Sequence, residues 1–126
     1  GHRLSTGSME AVVASHPAVA ECAVIGVLDA LKGQVPRAFV VLKSGVDIDP
    51  EVLQAEVVLS IREQIGAVAA LKSVVIVPAL PKTRSGKILR RTMRGIADGR
   101  PEAPPSTIDD ISVLERIRPL LEQSGD

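Results

Sequence analysis

Aromatic side chains are nearly missing from this sequence. Phe39 is the sole aromatic among 126 residues, and there is no Trp or Tyr. A core made from this chain must therefore be aliphatic. Surfaces that hold single-stranded nucleic acid usually stack bases on several aromatic rings, and the chain has no such set. Cysteine is as scarce: Cys22 stands alone, which excludes a disulfide framework and fits a reducing compartment. His2, His16 and Cys22 lack metal-ligand spacing, and no Ser-His-acid or Cys-His arrangement is present. Net charge is missing too. Fifteen Lys and Arg balance fifteen Asp and Glu, so the molecule as a whole calls for no polyanionic partner. No transmembrane segment or signal peptide is read in it. The chain opens Gly1-His2-Arg3 without a Met, and it is expected to be a piece of a larger protein.

What the chain does contain is enough apolar character, 45% of residues, for one small domain with a core. Ser5 or Thr6 caps a predicted helix running to Ser15, with Met9, Val12 and Val13 on one face. Val19 to Val27 is apolar and β-branched and reads as a buried strand, with Cys22 as a small hydrophobe within it. A second strand is expected near Val35 to Leu42, and Pro36 inside it argues for an edge position or a late start. Asp49-Pro50 is a strong helix start. Leu53, Val57, Ile61 and Ile65 form the stripe of that helix, which stops at Gly66 and leaves Arg62 and Glu63 off the core line. Val74 to Val77 reads as a third strand, and a third helix is expected from about Gly86 to Ala97. Asp98 to Ser106 carries three prolines and reads as a linker. The tail from Ile108 to Leu121 reads as a short helix broken or kinked at Pro119. The order predicts an α+β fold, a small three-stranded sheet packed with helices. Residues 1–97 form the domain, and residues 98–126 form the linker and tail helix.

The chemistry concentrates in Pro81-Lys82-Thr83-Arg84-Ser85-Gly86-Lys87-Ile88-Leu89-Arg90-Arg91. From Lys82 to Arg94 there are six Lys or Arg and no acid. If a helix begins at Gly86, Lys87 sits where the helix dipole disfavours a cation by about 0.3–1 kcal/mol. A sequence that breaks a local rule does so mainly at functional sites. A flexible glycine, a lysine and free helix N–H groups together call for an anion, a phosphate or a carboxylate. This is not a nucleotide-binding P-loop: Pro81 stands where that pattern needs its first glycine, and Ile88 replaces the magnesium-binding Ser or Thr. Arg90, Arg91 and Arg94 read first as a solvated basic helix face, and Arg62-Glu63 as a solvated pair.

The segment Pro81 to Lys87 resembles the closing motif of the AMP-forming acyl-CoA synthetases, and its continuation Ile88-Leu89-Arg90-Arg91 is similar to the acetyl- and propionyl-CoA synthetase branch. Gly1-His2-Arg3-Leu4-Ser5-Thr6 resembles the segment just past the hinge in that branch. Ala18 to Gly26, Leu31-Lys32-Gly33-Gln34 and Arg62-Glu63-Gln64-Ile65-Gly66 fit as well. The tail Ser106-Thr107-Ile108-Asp109-Asp110 leans towards propionyl-CoA synthetases. Ala67 departs from the branch, which often has proline there.

The resemblance implies a mobile C-terminal domain that works with an N-terminal domain of the same polypeptide. That larger domain would bind ATP with magnesium and the short-chain carboxylate. The acid would be adenylated first, and coenzyme A would then attack the adenylate after the small domain turns. Lys87 would be the catalytic lysine of adenylation and a nucleotide contact. Arg3 would touch nucleotide phosphate or the CoA side, Gly1 would let the pantetheine arm pass, and Arg62 would contact CoA phosphate. Arg84, Ser85 and Gly86 would support the loop. Acylation of Lys87 by a lysine acyltransferase, reversed by a deacylase, would remove its charge. The resemblance implies no nucleic-acid or membrane partner, and a location in the cytoplasm or, in a eukaryote, the mitochondrial matrix. The rival reading is a non-catalytic module that binds nucleic acid or an acidic partner through residues 82–94.

Overall fold

The computed structural model describes residues 6–29, 31, 33–66, 71, 73–100 and 103–123. Gly1, Arg3, Ser5, Lys32 and Ala67 lie outside them. The chain runs α1 (Thr6–Ala14), β1 (Val19–Asp29), β2 (Gly33–Leu42), α2 (Pro50–Gln64), β3 (Ser73–Ile76), α3 (Arg90–Ala97) and α4 (Ile111–Glu122). The α+β class and three-stranded sheet expected above are what the chain forms.

β1 and β2 make an antiparallel hairpin, and β3 joins β2 in parallel after the α2 crossover. The strand order is β1-β2-β3. β2 is therefore central, and Pro36 is not on an edge strand. Its place is still tolerable, because β3 pairs only from Arg37 to Val40 while Pro36 faces Gly26 of β1. At Pro36 the sheet is two strands wide, and a missing N–H there breaks no second ladder.

Both faces of the sheet are covered, which is why β1 reads as a continuous apolar run rather than an alternating one. Cys22, Val24, Ala38 and Val40 face α1 and α2 through Val12, Val13, Leu53, Val57 and Ile61. Ala23, Ile25 and Phe39 face the other way, towards Met93, Ile96, Leu114, Ile117 and Leu121 of α3 and α4. Burial pushes the Cys22 thiol up to about 11, with the Glu10 carboxylate adding to the shift. At neutral pH it stays a protonated, inert core group.

α2 starts as expected: Asp49 accepts from the Glu51 amide, and Pro50 holds the first position. α4 begins at Ile111 because Asp110 caps it, accepting from the Ser112 amide at 2.9 Å and the Ser112 hydroxyl at 2.6 Å. Pro119 does not break α4, which continues to Glu122. The end of that helix is held from below by Arg37. This buried arginine donates from Nη1 to the carbonyls of Leu121 (3.2 Å) and Gln123 (3.0 Å), and from Nη2 to that of Leu120 (3.4 Å). A cation suits the negative end of a helix. Its guanidinium also lies 5.2 Å from the Phe39 ring centre, within cation–π range. Burial pulls its pKa below the usual guanidinium value, and its Nε has no hydrogen-bond partner among the described residues. Arg37→Met keeps the stem and loses the donors. Hydrogen exchange should then accelerate about tenfold or more across residues 114–122, while α2 keeps its protection. A uniform acceleration over both helices would mean that Arg37 supports the whole fold and not the tail in particular.

Candidate functional site

The basic segment is not the start of a helix. α3 begins at Arg90, and Lys87 precedes it by three residues. The expected helix from Gly86 fails because Gly86 takes φ +92°, a left-handed conformation outside the α-helical region. Instead, residues 82–88 fold into a short hairpin. Lys82 bridges Ile88, the Thr83 amide donates to the Lys87 carbonyl at 2.9 Å, and the Gly86 amide donates to the Thr83 carbonyl at 2.8 Å. This is a four-residue turn closed by a glycine at positive φ, where glycine carries no steric penalty. The Thr83 hydroxyl tightens it further: its Oγ1 accepts from the Lys87 amide at 3.1 Å and lies 2.9 Å from Ser85 Oγ.

The hairpin is braced on both flanks. On one side, residues from the tail lie along it: Thr83 bridges Ile108, the Arg84 amide donates to the Thr107 carbonyl at 3.0 Å, and the Asp109 amide donates to the Lys82 carbonyl at 2.8 Å. On the other, ion pairs tie it to α1 and β1. Lys82 Nζ lies 2.6 Å from Glu21 Oε2, and Arg90 donates to Glu10 Oε1 from Nη2 at 2.6 Å and Nε at 3.2 Å. Half-exposed pairs of this kind add little stability. Their effect here is to neutralise two of the six cations and fix the ends of the loop.

Lys87 is different. It is exposed, and among the described residues its ammonium has no acidic partner. The hairpin thus presents two exposed cations, Lys87 and Arg84, that form no ion pair among the described residues. Arg84, Ser85 and Gly86 form the exposed tip beside it. Arg62 is elsewhere, in the last turn of α2 and exposed. Its helix packs on the sheet face opposite α3 and α4. No hydrogen bond or ion pair between described residues joins Arg62 to the hairpin. Gly1 and Arg3 lie outside the described residues.

Sequence reasoning missed Thr83, Glu10 and Glu21. Thr83 carried a usable signal, a hydroxyl four residues before Lys87 with glycine between them. Glu10 and Glu21 carried none, being 80 and 61 residues from their partners. Among the described residues no group of His, Cys, Asp and Glu could hold a metal ion, and no helix is long and apolar enough to cross a membrane.

The chain belongs to the family of AMP-binding enzyme C-terminal domains, whose sequence profile matches residues 8–87. It is 61% identical over 121 residues to an uncharacterized protein of Pseudomonas aeruginosa, covering 96% of this chain and 19% of that protein. It is 46% identical to mouse acyl-CoA synthetase short-chain family member 3, mitochondrial, over 98% of this chain and 18% of that one. Acetyl-coenzyme A synthetase of Pyrobaculum arsenaticum matches at 46% over the same shares of each chain. Among solved structures, a Brucella canis acyl-CoA synthetase superposes with a TM-score of 0.68 at 38% identity, over 75% of this chain and 17% of that one. Acetoacetyl-CoA synthetase from Streptomyces lividans shares the fold over 95% of this chain, with a TM-score of 0.76 at 23% identity. The chain spans about a fifth of the length of the curated relatives it matches.

Proposed function

We propose that this chain is the moving C-terminal domain of an AMP-forming short-chain acyl-CoA synthetase, and that Lys87 is its adenylation lysine. The observation that carries this is the exposed ammonium of Lys87, without an ion pair among the described residues, on a hairpin whose flanking cations Lys82 and Arg90 are paired with Glu21 and Glu10. The enzyme would join a short-chain carboxylate, propionate or acetate, to the α-phosphorus of ATP with release of pyrophosphate. The CoA thiol would then displace AMP to give the thioester. Two anions must approach in the first step, and a compact cation on a flexible stem suits that task. Thr83, Ser85, Gly86 and the Arg84 backbone hold the lysine's amide in place, so that only its side chain need move. Magnesium would be carried with ATP on the N-terminal domain.

Arg62 and, outside the described residues, Arg3 and Gly1 would serve the CoA side. Arg62 stands on α2, joined to the hairpin by no hydrogen bond or ion pair between described residues, and this favours two working surfaces used in turn. In the complete enzyme, Arg62→Ala should raise the CoA requirement about tenfold, the loss of one charge-assisted hydrogen bond at an exposed position, with adenylation intact. Unchanged CoA dependence would remove Arg62 from that role.

The test of the whole reading is acid-dependent pyrophosphate exchange by the complete enzyme with acetate, propionate and butyrate. Exchange that requires Lys87 supports it, and the preferred acid follows from the ranking. No exchange with any acid by a folded, ATP-binding enzyme would overturn it. The exposed ammonium is also open to enzymatic acylation, which would cancel its charge. Acylated protein should lose exchange as Lys87→Ala does and regain it on deacylation. Lone, buried Cys22 suits a reducing compartment, the cytoplasm or the mitochondrial matrix. Cell fractionation that found the enzyme secreted would contradict that placement.

A further inference from the structure

Among the described residues Arg37 is the only buried charged side chain, 3% exposed on the central strand. Its backbone is paired on both sides, to Ile25 of β1 and to Ser73 of β3, so it is a fixed point of the sheet. No carboxylate among the described residues pairs with it. A buried cation without one is costly, and an apolar side chain of similar volume would fill the place at less cost. What the guanidinium adds is direction. Leu114, Ile117 and Leu121 hold α4 against the sheet, but the hydrophobic effect is non-directional and fixes the helix poorly along its axis. Donation from one planar fork to the carbonyls of Leu120, Leu121 and Gln123 has strict geometry and sets that position.

The other end of α4 carries the consequence. Only Asp110 separates the helix from Asp109, and residues 107–109 lie along the basic hairpin. Ile108 bridges Thr83, the Arg84 amide donates to the Thr107 carbonyl, and the Asp109 amide donates to the Lys82 carbonyl. Thr83 in turn holds both backbone groups of Lys87: its amide donates to the Lys87 carbonyl, and its Oγ1 accepts from the Lys87 amide. We propose that Arg37 is a positioning residue for Lys87, acting through α4 as a strut about 18 Å long that runs from the central strand to the lysine hairpin. Every link is a packed or hydrogen-bonded contact, so the coupling has a continuous physical path. The links from Arg37 to Thr83 are independent of the synthetase reading, and the effect on chemistry rests on it.

The test combines amide hydrogen exchange with the two half-reactions in the complete enzyme. In Arg37→Met the amides of Arg84 and Asp109 should exchange about tenfold or more faster. Those of Thr83 and Gly86, whose bonds close within the hairpin, should keep their protection. Pyrophosphate exchange should fall about tenfold, since small misplacements of a reacting group are costly. Conversion of supplied acyl-adenylate with CoA should change less than about threefold. Added to Lys87→Ala, Arg37→Met should cost no further exchange, because both act through one ammonium. Arg37→Lys keeps a cation without the fork and should show the same pattern at smaller size, so the test survives a Met variant that fails to fold. Val57→Ala, buried in the cluster on the other sheet face, controls for general loosening: it should lower the denaturation midpoint and leave the ratio of the half-reactions unchanged. Undisturbed amides at Arg84 and Asp109 would overturn the strut. Accelerated amides with pyrophosphate exchange unchanged, with both half-reactions lowered equally, or with additive losses in the double variant would overturn the positioning role. If Lys87→Ala itself leaves pyrophosphate exchange intact, the synthetase reading fails, and the amides alone decide the strut.

Discussion

Lys87→Ala in the complete enzyme should lower pyrophosphate exchange by about 10²–10³-fold while conversion of supplied acyl-adenylate with CoA changes less than about threefold. The magnitude follows from electrostatics. A unit cation about 4 Å from a unit anion contributes about 4 kcal/mol at an effective dielectric of 20. Preorganised groups aimed at developing charge commonly supply roughly 3–4 kcal/mol. The split between half-reactions is the discriminating part. A lysine that acts only in adenylation affects one step, whereas a lysine needed for folding or docking lowers both. Equal losses in the two assays would remove Lys87 from the proposed role. The substitution leaves the hairpin's bonds in place, because Lys87 contributes its backbone and not its side chain to the turn.

Phe39→Ala should cost about 3–5 kcal/mol of stability, the usual range for emptying a buried aromatic site. A domain of this kind holds only about 5–15 kcal/mol in total. Phe39 is fully buried on the central strand, opposite Ala23 on one side and Val75 on the other. The small Ala23 leaves the ring its room, and no second aromatic exists to close the gap. The ring also lies beneath the Arg37 guanidinium, so its loss strips one contact from a buried cation. Urea denaturation should show a lower midpoint with an unchanged slope. A loss below about 1 kcal/mol would mean that α3 and α4 collapse into the space.

The sequence carried the parts that depend on local pattern. β1 was legible because both its faces are buried, and α2 because Asp49-Pro50 and Gly66 punctuate a clear stripe. The exposed basic loop around Lys87 was legible from its motif, but the helix start inferred for it was wrong. Gly86 could serve either a helix entrance or a hairpin turn, and only its positive φ decides between them. Pro36 misled because edge and centre are properties of the neighbouring strand's length. Arg37, Glu10 and Glu21 were not legible at all, since their partners lie tens of residues away. The strand-like pairing of residues 107–109 was hidden for another reason. A single β-bridge with no apolar alternation leaves no period to read.

That pairing bears on how the chain can be recombined. A junction placed after Ala97, at the end of α3, looks conservative and keeps every residue of the lysine loop. It would nevertheless exchange Thr107, Ile108 and Asp109 for foreign chain, and with them the two backbone hydrogen bonds that bridge Thr83 and Ile108. Hybrids spliced there would carry the right lysine on a hairpin open along one side. Grafts that move the loop between enzymes should therefore travel with the stretch through Asp109 as a single cassette.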